Sequence, residues 1–264
     1  MSAREGGTID GLVTQHAVLR ALILRELQSR FGRDNIGYLW VIGEPMMLAT
    51  VISLLHFAVD QYAKPGMGPF PFTLLGYCLF IIFRNTFNRS DAILDGSVNL
   101  FYHSQITPFD VLLAKSVVET IACLSALVIL MTVGILLGVA DPPARPVYVF
   151  VAAAAISILT FGLTMLVAAG TYKSHVLGRF VHPFSYFMFP LSGAFVTMDF
   201  LPPWARHIMA WNPLMTIFET ARYGWFKGAT DKYIDPVFLI ATCAVLVYGG
   251  MLAIRRVRAD IHVR

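Results

Sequence analysis

Residues 147–171 read VYVFVAAAAISILTFGLTMLVAAGT, a continuous run without a charged side chain. Because a helix rises about 1.5 Å per residue and the hydrocarbon core of a bilayer is about 30 Å thick, roughly 20 apolar residues can cross it. The rest of the chain has the same character, since 57% of its 264 residues are hydrophobic, 14% are charged and the mean hydropathy is +0.67. We therefore expect an all-α membrane protein with a single transmembrane domain, residues 1–264.

Six segments have the length and composition of transmembrane helices: residues 36–59, 71–89, 108–139, 147–171, 180–197 and 236–254. The fifth is short and contains Pro183 and Pro190. An even number of spans places both termini on one side. The opposite side holds six of the 20 Lys and Arg residues, namely Lys64, Arg145, Arg206, Arg222, Lys227 and Lys232. By the positive-inside rule, both termini are predicted to be cytoplasmic.

The stretch before the first span predicts a helix that lies along the inner membrane interface. Asp10 is a candidate N-cap for a helix from about Gly11 to Phe31. One side of its helical wheel is mainly apolar and the other mainly polar (Val13, Ala17, Leu24, Leu27 and Phe31 against Gln15, Arg25, Ser29 and Arg33). Arg20 interrupts the apolar side, and Val18 and Leu22 interrupt the polar side. Such a helix is too charged to cross the bilayer.

Residues 30–47, RFGRDNIGYLWVIGEPMM, connect this helix to the first span. The basic residues Arg25, Arg30 and Arg33 indicate anchoring to anionic lipid heads or, alternatively, reception of an anionic lipid-linked substrate. Tyr38 and Trp40 lie at the entrance of the span, where amphipathic rings suit both lipid heads and sugars. Glu44 lies within the span, where an unpaired carboxylate costs about 2.5–3.5 kcal/mol. It either reaches back to the interface or contributes to packing or to a pathway.

Between the second and third spans, residues 90–110 read SDAILDGSVNLFYHSQITPFD. Three polar residues recur at helical spacing and three apolar residues occupy another face (Asp91, Asp95 and Asn99; Leu94, Val98 and Phe101). This pattern predicts a short cytoplasmic helix that packs against another part of the protein or against a partner. Thr107 and Asp110 form a capping pattern around Pro108, which predicts the start of the third span. Lys115 and Glu119 follow at a spacing of four residues, as in a helical ion pair.

Before the last span, residues 199–227 are too apolar for a free loop and too short for two spans. Pro202 and Pro203 predict the start of one short helix, Asn212 and Pro213 its end, and a second helix follows to about Phe226. Four aromatic residues accompany them: Trp204, Trp211, Tyr223 and Trp225. We expect a helical hairpin that dips into the outer interface, with these rings as anchors or as stacking surfaces for sugar rings.

The sequence contains no motif that indicates an enzyme or a nucleotide-binding protein. A Walker-type glycine-rich loop, an HExxH motif and a GxSxG motif are all missing, and the seven histidines do not cluster. The three cysteines lie in apolar runs without metal-ligand spacing, as expected of small buried hydrophobic residues. If the protein's activity is driven by nucleotide hydrolysis, the nucleotide must be bound by another chain.

Three stretches resemble the type-2 ABC export permeases: RELQSRFGRDNIGYLWVIGEP (residues 25–45), NLFYHSQITPFDVLLAK (residues 99–115) and FPLSGAFVTMDFLPPWARHIMAWNPLMTIFETAR (residues 189–222). Within that family the chain is similar to the membrane subunit of bacterial capsular-polysaccharide exporters. The resemblance extends over nearly the whole chain. The first stretch is fairly specific to capsule and O-antigen permeases, whereas the WNP motif within the third is shared more widely.

The resemblance implies a homodimer in the bacterial inner membrane, bound to two copies of a cytoplasmic ABC ATPase that holds ATP and Mg. No cofactor is expected in this chain, and no nucleic acid partner. Residues 11–33 would form the interface helix, residues 91–102 a coupling helix in a groove of the ATPase, and residues 199–227 the outer re-entrant helices. The substrate would be a lipid-linked, usually acidic polysaccharide. A periplasmic co-polymerase and an outer-membrane channel would continue its path.

The residue patterns above, taken together with the resemblance, predict roles for individual residues. The substrate entrance would involve Arg25, Arg30, Arg33, Tyr38, Trp40 and Glu44. Contacts with the ATPase would involve Asp91, Asp95, Leu100, Phe101 and Tyr102. The outer gate would carry the aromatic residues Trp204, Trp211, Tyr223 and Trp225.

Four alternatives to capsule export stay open at this point: export of O-antigen or teichoic acid, export of a drug or small lipid, a glycan-modifying membrane enzyme, and a structural membrane scaffold. An enzyme would need essential acids or histidines that converge on one site and would act without ATP. A scaffold would tolerate replacement of Glu44.

Overall fold

The computed structural model describes residues 8–31, 43, 46–52, 54–55, 67–101 and 106–261. This part of the chain is helical and contains no β-strand, as predicted. The helices are α1 (Thr8–Phe31), α2 (Pro69–Asn88), α3 (Val98–Phe101), α4 (Pro108–Leu136), α5 (Pro146–Lys173), α6 (His175–Leu191), α7 (Pro203–Met209), α8 (Pro213–Trp225) and α9 (Pro236–Ile261). Two 3-10 turns, Asp95–Ser97 and Met198–Phe200, precede α3 and α7.

Four of the described helices are long and apolar enough to cross a membrane: α2, α4, α5 and, over Pro236–Arg258, α9. They correspond to the second, third, fourth and sixth predicted spans. The fifth predicted span corresponds to α6, which has only 17 residues and continues through Pro183 and Pro190. The first predicted span, residues 36–59, lies mostly outside the described residues, although residues 46–52 are helical.

The start of α4 is fixed by the capping pattern that the sequence predicts. The backbone N–H of Asp110 donates to Oγ1 of Thr107 at 3.3 Å, and the carboxylate of Asp110 accepts from the N–H of Thr107 at 2.9 Å. Pro108 occupies the first helical turn, where its missing N–H leaves no bond unmade. These reciprocal bonds satisfy backbone groups that would otherwise be unpaired at the N-terminus.

Helix α1 packs along α4, and its contacts differ from those expected. The predicted N-cap at Asp10 is wrong, because the helix already begins at Thr8. Leu22 is buried and Val18 packs beside it, although both interrupt the polar side of the helical wheel. Val13 and Leu24, on the predicted apolar side, are exposed. Two of the residues that interrupt the amphipathic pattern, Val18 and Leu22, therefore help to attach α1 to the helix bundle.

The hydrophobic core has two parts. The larger is centred on α2, which is buried at every position from Pro71 to Phe83. The smaller, called here the inner cluster, lies at the end of the bundle that carries α1. It joins α1, the segment before α4, and the adjoining ends of α4, α5 and α9 (Leu22, Ile93, Leu94, Phe101, Val111, Leu112, Ala114, Phe161, Met165, Ala168, Ala169, Ile254 and Val257).

Helices α5 and α9 cross at two glycines. A Cβ atom on Gly162 would lie 2.8 Å from the backbone C of Leu246 and the N of Val247. A Cβ atom on Gly250 would lie 2.8 Å from the carbonyl oxygen of Gly162. Because backbone atoms cannot move aside cheaply, the close approach of the two helices requires the absence of both side chains.

This crossing predicts different outcomes for two neighbouring glycines of α9. We expect Gly250→Ala to destabilise the protein by about 1–3 kcal/mol through overpacking. Gly249→Ala is the matched control, because its Cβ would meet Leu166 at an ordinary 3.7 Å. The control should be neutral or slightly stabilising, since alanine favours helix over glycine. Thermal unfolding in nanodiscs measures both effects, and equal unfolding temperatures for the two variants would contradict the crossing.

Candidate functional site

The end of the bundle opposite α1 is organised around Arg222 of α8. Its guanidinium is 2% exposed and donates hydrogen bonds to the carbonyl oxygens of Val196 and Ala194, each at 3.0 Å, and to that of Gly193. It also contacts Glu219, with Nη1 3.3 Å from Oε1, and lies 4.5 Å from the ring centre of Phe72. A single cation therefore satisfies three carbonyls of the turn that follows α6. We call this arrangement the Arg222 clamp.

The clamped turn fits tightly between α2 and α8. Gly193 has φ +83, which favours glycine, and a Cβ atom there would overlap Sδ of Met215. A Cβ atom on Gly76 of α2 would overlap the carbonyl oxygen of Ala194. Glu219 completes the clamp, because its carboxylate accepts a hydrogen bond from the N–H of Met198 at 2.9 Å.

Two further polar residues hold α8 at its ends. Asn212 accepts from the N–H of Leu214 at 3.0 Å and donates to the carbonyl of Leu191 at 2.7 Å, so one amide caps α8 and binds the end of α6. Arg145 donates to the carbonyl of Tyr223 at 2.9 Å and lies over the ring of that tyrosine. The two helices expected around Asn212 are present as α7 and α8.

The four aromatic residues predicted for this end do not form one surface. Trp204 and Trp211 are 70% and 81% exposed, and Trp211 contacts the ring of Phe238 edge-on. Tyr223 packs against Tyr148 and Arg145, and Trp225 is buried. Trp204 and Trp211 are thus exposed at the surface, whereas Tyr223 and Trp225 contribute to packing.

The α1 end of the bundle carries a cluster of charged and amide side chains, called here the ion-pair cluster. It contains Glu26 of α1, Asn85 of α2, Arg89 directly after α2, and Lys115 and Glu119 of α4. Glu26 lies 4.0 Å from Arg89 and 3.9 Å from Lys115. Glu119 lies 3.7 Å from Arg89 and accepts a hydrogen bond from Asn85 at 2.5 Å. The cluster connects α1, α2 and α4, and the sequence pattern predicts no contact among these three helices.

The segment predicted to contact an ATPase is less regular than the helix expected there. Residues 91–94 form turns, a 3-10 turn follows, and α3 completes one helical turn. Phe101 is 5% exposed within the inner cluster, and Leu100 packs against that cluster. Asp91 is partly exposed and faces His182 of α6 at 3.8 Å. Ala92 and Gly96 are exposed. The side chain of Asp95 and all of Tyr102 lie outside the described residues.

The residues predicted for the substrate entrance are only partly described. Arg25 lies on α1 and is exposed. Arg30 lies within α1, but its side chain is not among those described. The predictions for Arg33, Tyr38, Trp40 and Glu44 fall outside the described residues.

In the described part of the chain, the charged groups at both ends form ion pairs and hydrogen bonds within the bundle. No group of three metal-ligating side chains occurs among the described residues. Sequence reasoning did not identify the Arg222 clamp or the part that Glu26 plays in the ion-pair cluster. For the clamp a signal existed, since Glu219 and Arg222 are charged residues three positions apart in a largely apolar helix.

The Arg222 clamp predicts a large loss of stability when the guanidinium is removed. We expect Arg222→Met to destabilise the protein by about 3–5 kcal/mol, because it leaves buried Glu219 without its cation. Lys227→Met, at an exposed position close by, is the matched control and should have little effect. Adding Glu219→Gln to Arg222→Met should restore part of the lost stability. Thermal unfolding in nanodiscs tests this, and an Arg222→Met protein as stable as the control would refute the clamp.

Comparison with known proteins agrees with the resemblance seen in the sequence. CtrC of Neisseria meningitidis serogroup A, a capsule polysaccharide export inner-membrane protein, is 27% identical over 248 residues, 94% of each chain. BexB of Haemophilus influenzae, with the same description, is 27% identical over 253 residues, 95% of each chain. KpsM of Escherichia coli, a polysialic acid transport protein, is 26% identical over 257 residues, which cover 95% of this chain and 96% of KpsM.

The family model described as ABC-2 type transporter matches residues 17–226. The matched region begins in α1 and ends directly after α8, so it includes both the ion-pair cluster and the Arg222 clamp. It covers well over half of the chain. The chain therefore belongs to the ABC-2 type transporter family.

Proposed function

We propose that this chain is the membrane-spanning subunit of an ATP-driven exporter that moves lipid-linked acidic capsular polysaccharide across the bacterial inner membrane. The observation that carries the proposal is the similarity, over nearly the full length of both chains, to CtrC, BexB and KpsM. Two of these are named for capsule polysaccharide export and the third for polysialic acid transport. The chain itself acts as a permease rather than as an enzyme.

ATP and Mg would be bound by a separate ABC ATPase, as the family implies. We assign residues 91–102 to the contact with that ATPase. The packing supports this assignment, because Leu94 and Phe101 anchor the segment in the inner cluster beside the ends of α4, α5 and α9. A push on the exposed turn at Ala92 and Gly96 would therefore reach several membrane helices at once. Phe101 would serve as the anchor rather than as the contacting surface.

The complete transporter would be a homodimer with two ATPases, with both termini in the cytoplasm. The polysaccharide would enter beneath α1, where Arg25, Arg30 and Arg33 attract its phosphate, and leave past the turn held by the Arg222 clamp. Tyr38, Trp40 and Glu44 would line the first part of the path. Exposed Trp204 and Trp211 would interact with the outer lipid heads or with sugar rings. A periplasmic co-polymerase and an outer-membrane channel would receive the polysaccharide.

Charged side chains on the exposed turn test the proposed function. We expect Ala92→Glu and Gly96→Glu to lower both co-purification of the ATPase and the amount of surface polysaccharide by at least about tenfold. Both positions can accept a side chain without disturbing the fold, because Ala92 is exposed and a Cβ on Gly96 would meet no atom within 4 Å. The matched control is Thr230→Glu, an exposed position at the opposite end. Normal ATPase association and normal capsule in the two test variants would contradict the proposal.

A further inference from the structure

We propose that a cavity between the α4–α5 loop and the end of α8 binds the headgroup of a phospholipid that carries both a phosphate and a primary ammonium, as phosphatidylethanolamine does. The cavity, called here the headgroup cavity, has a volume of about 290 Å³. Its lining comes from the start of α2, the α4–α5 loop, the end of α8 and the segment that follows α8 (Gly68, Pro71, Val139, Asp141, Trp225 and Lys227). The inference goes beyond polysaccharide export, because it needs only a chain embedded in a membrane.

The headgroup cavity lies at the depth of the lipid headgroups. Helices α2 and α4 are both long and apolar enough to cross the bilayer. The cavity lies where α2 begins, at Pro69, and just beyond the end of α4, at Leu136. The ends of spanning helices meet the headgroup layer. At about 30 Å³ for each water, the cavity has room for on the order of ten water molecules. This size suits a compact headgroup rather than a chain of sugars.

Backbone hydrogen bonds hold the two charged walls of the cavity together. The N–H of Ala144, in the α4–α5 loop, donates to the carbonyl of Trp225 at 3.1 Å. The next residue of the loop donates in the same way to the carbonyl of Gly224 at 2.7 Å. Asp141 belongs to this loop, and Lys227 follows α8. The positions of the two charged residues are therefore linked before any ligand binds.

Asp141 and Lys227 give the cavity one charge of each sign. Both are exposed, and in the described part of the chain neither forms an ion pair with the other or with a third residue. A lysine ammonium binds phosphate, and a carboxylate accepts hydrogen bonds from an ammonium. A choline headgroup has no N–H to donate, and a glycerol headgroup has no cation. The pair of charges therefore favours a headgroup with a phosphate and a primary ammonium.

Trp225 is a second indication that the cavity takes a polar ligand. Its side chain is 8% exposed, and its Nε1–H has no hydrogen-bond partner among the described residues. Buried donors without an acceptor are costly, and an indole N–H can only donate. Because Trp225 forms part of the cavity wall, an oxygen of a bound phosphate can supply the acceptor.

Exposed apolar side chains beside the cavity favour a lipid over a sugar. Leu136 and Leu137, at the end of α4, are 81% and 74% exposed and lead directly to Gly138 and Val139 of the cavity lining. The first turns of α5, across the loop, expose further apolar side chains (Val147, Phe150 and Val151). Acyl chains can cover this surface while the headgroup occupies the cavity. An acidic sugar could use the charges but would leave the apolar surface uncovered.

Native mass spectrometry of the permease–ATPase complex, stripped of lipid in detergent, measures the preference. The titrants are short-chain phosphatidylethanolamine, phosphatidylcholine and phosphatidylglycerol. We expect the first to bind at least about tenfold more tightly than either of the others. Equal affinities, or tighter binding of another headgroup, would overturn the proposal. Digalacturonic acid, an acidic sugar, should not displace the bound lipid, and displacement would overturn the choice of a lipid.

Two substitutions separate the roles of the two charges. We expect Asp141→Asn to weaken binding of phosphatidylethanolamine about tenfold and to leave phosphatidylglycerol within about threefold, because only the former has an ammonium. Lys227→Gln should weaken both lipids about tenfold, because both carry the phosphate. Parallel losses for the two lipids in Asp141→Asn, or wild-type affinities in either variant, would contradict the assigned roles.

Asp231→Asn and Lys232→Gln are the matched controls, because both residues are exposed at the same end of the bundle but do not line the cavity. Both should bind the lipids as the wild type does, and a loss as large as that in the cavity variants would overturn the site. Phosphatidylethanolamine should also raise the unfolding temperature of the wild type and the controls by at least about 4 °C. An equal rise in Asp141→Asn would count against the cavity.

Discussion

The structure depends on one buried arginine, whose guanidinium donates hydrogen bonds to backbone carbonyls that lie outside the helices. Between α6 and α7 the chain turns inside the packed end of the bundle, where unpaired carbonyls would be costly. Arg222 donates to three of them and is balanced by Glu219. Gly76 and Gly193 allow the turn to contact α2 and α8 closely. Because the turn directly follows α6, its position fixes α2, α6 and α8 relative to one another.

The opposite end of the bundle is built differently. There the inner cluster joins α1 and the segment before α4 to the ends of α4, α5 and α9 by apolar contacts, and the ion-pair cluster adds charged contacts among α1, α2 and α4. The two ends of the bundle therefore differ, with a tight, glycine-dependent clamp at one and a charged and apolar junction at the other. Between them, α2 is buried for most of its length and connects the two ends.

The sequence predicts the helices well where hydrophobicity alone decides them. The apolar runs, the capping box at Thr107 and the proline starts give α2, α4, α5 and α9 within a few residues, except that α9 extends to Ile261. Contacts between helices are harder to predict from the sequence. Lys115 and Glu119 have a spacing typical of a pair within one helix, yet Lys115 contacts Glu26 and Glu119 contacts Arg89. Likewise, Leu22 interrupts the polar side of the α1 helical wheel. The wheel cannot show that α4 packs against that side and buries Leu22.

Transport itself is the most direct test of the proposed exporter. The measurement uses inside-out proteoliposomes that contain this chain with its ATPase and a radiolabelled lipid-linked polysaccharide on the outer leaflet. The proposed function predicts that ATP moves the polysaccharide into the lumen, where added glycosidase no longer degrades it, and that an ATPase unable to hydrolyse ATP abolishes this protection. Polysaccharide that stays fully degradable with ATP present, or becomes protected without hydrolysis, would contradict the function proposed for this chain.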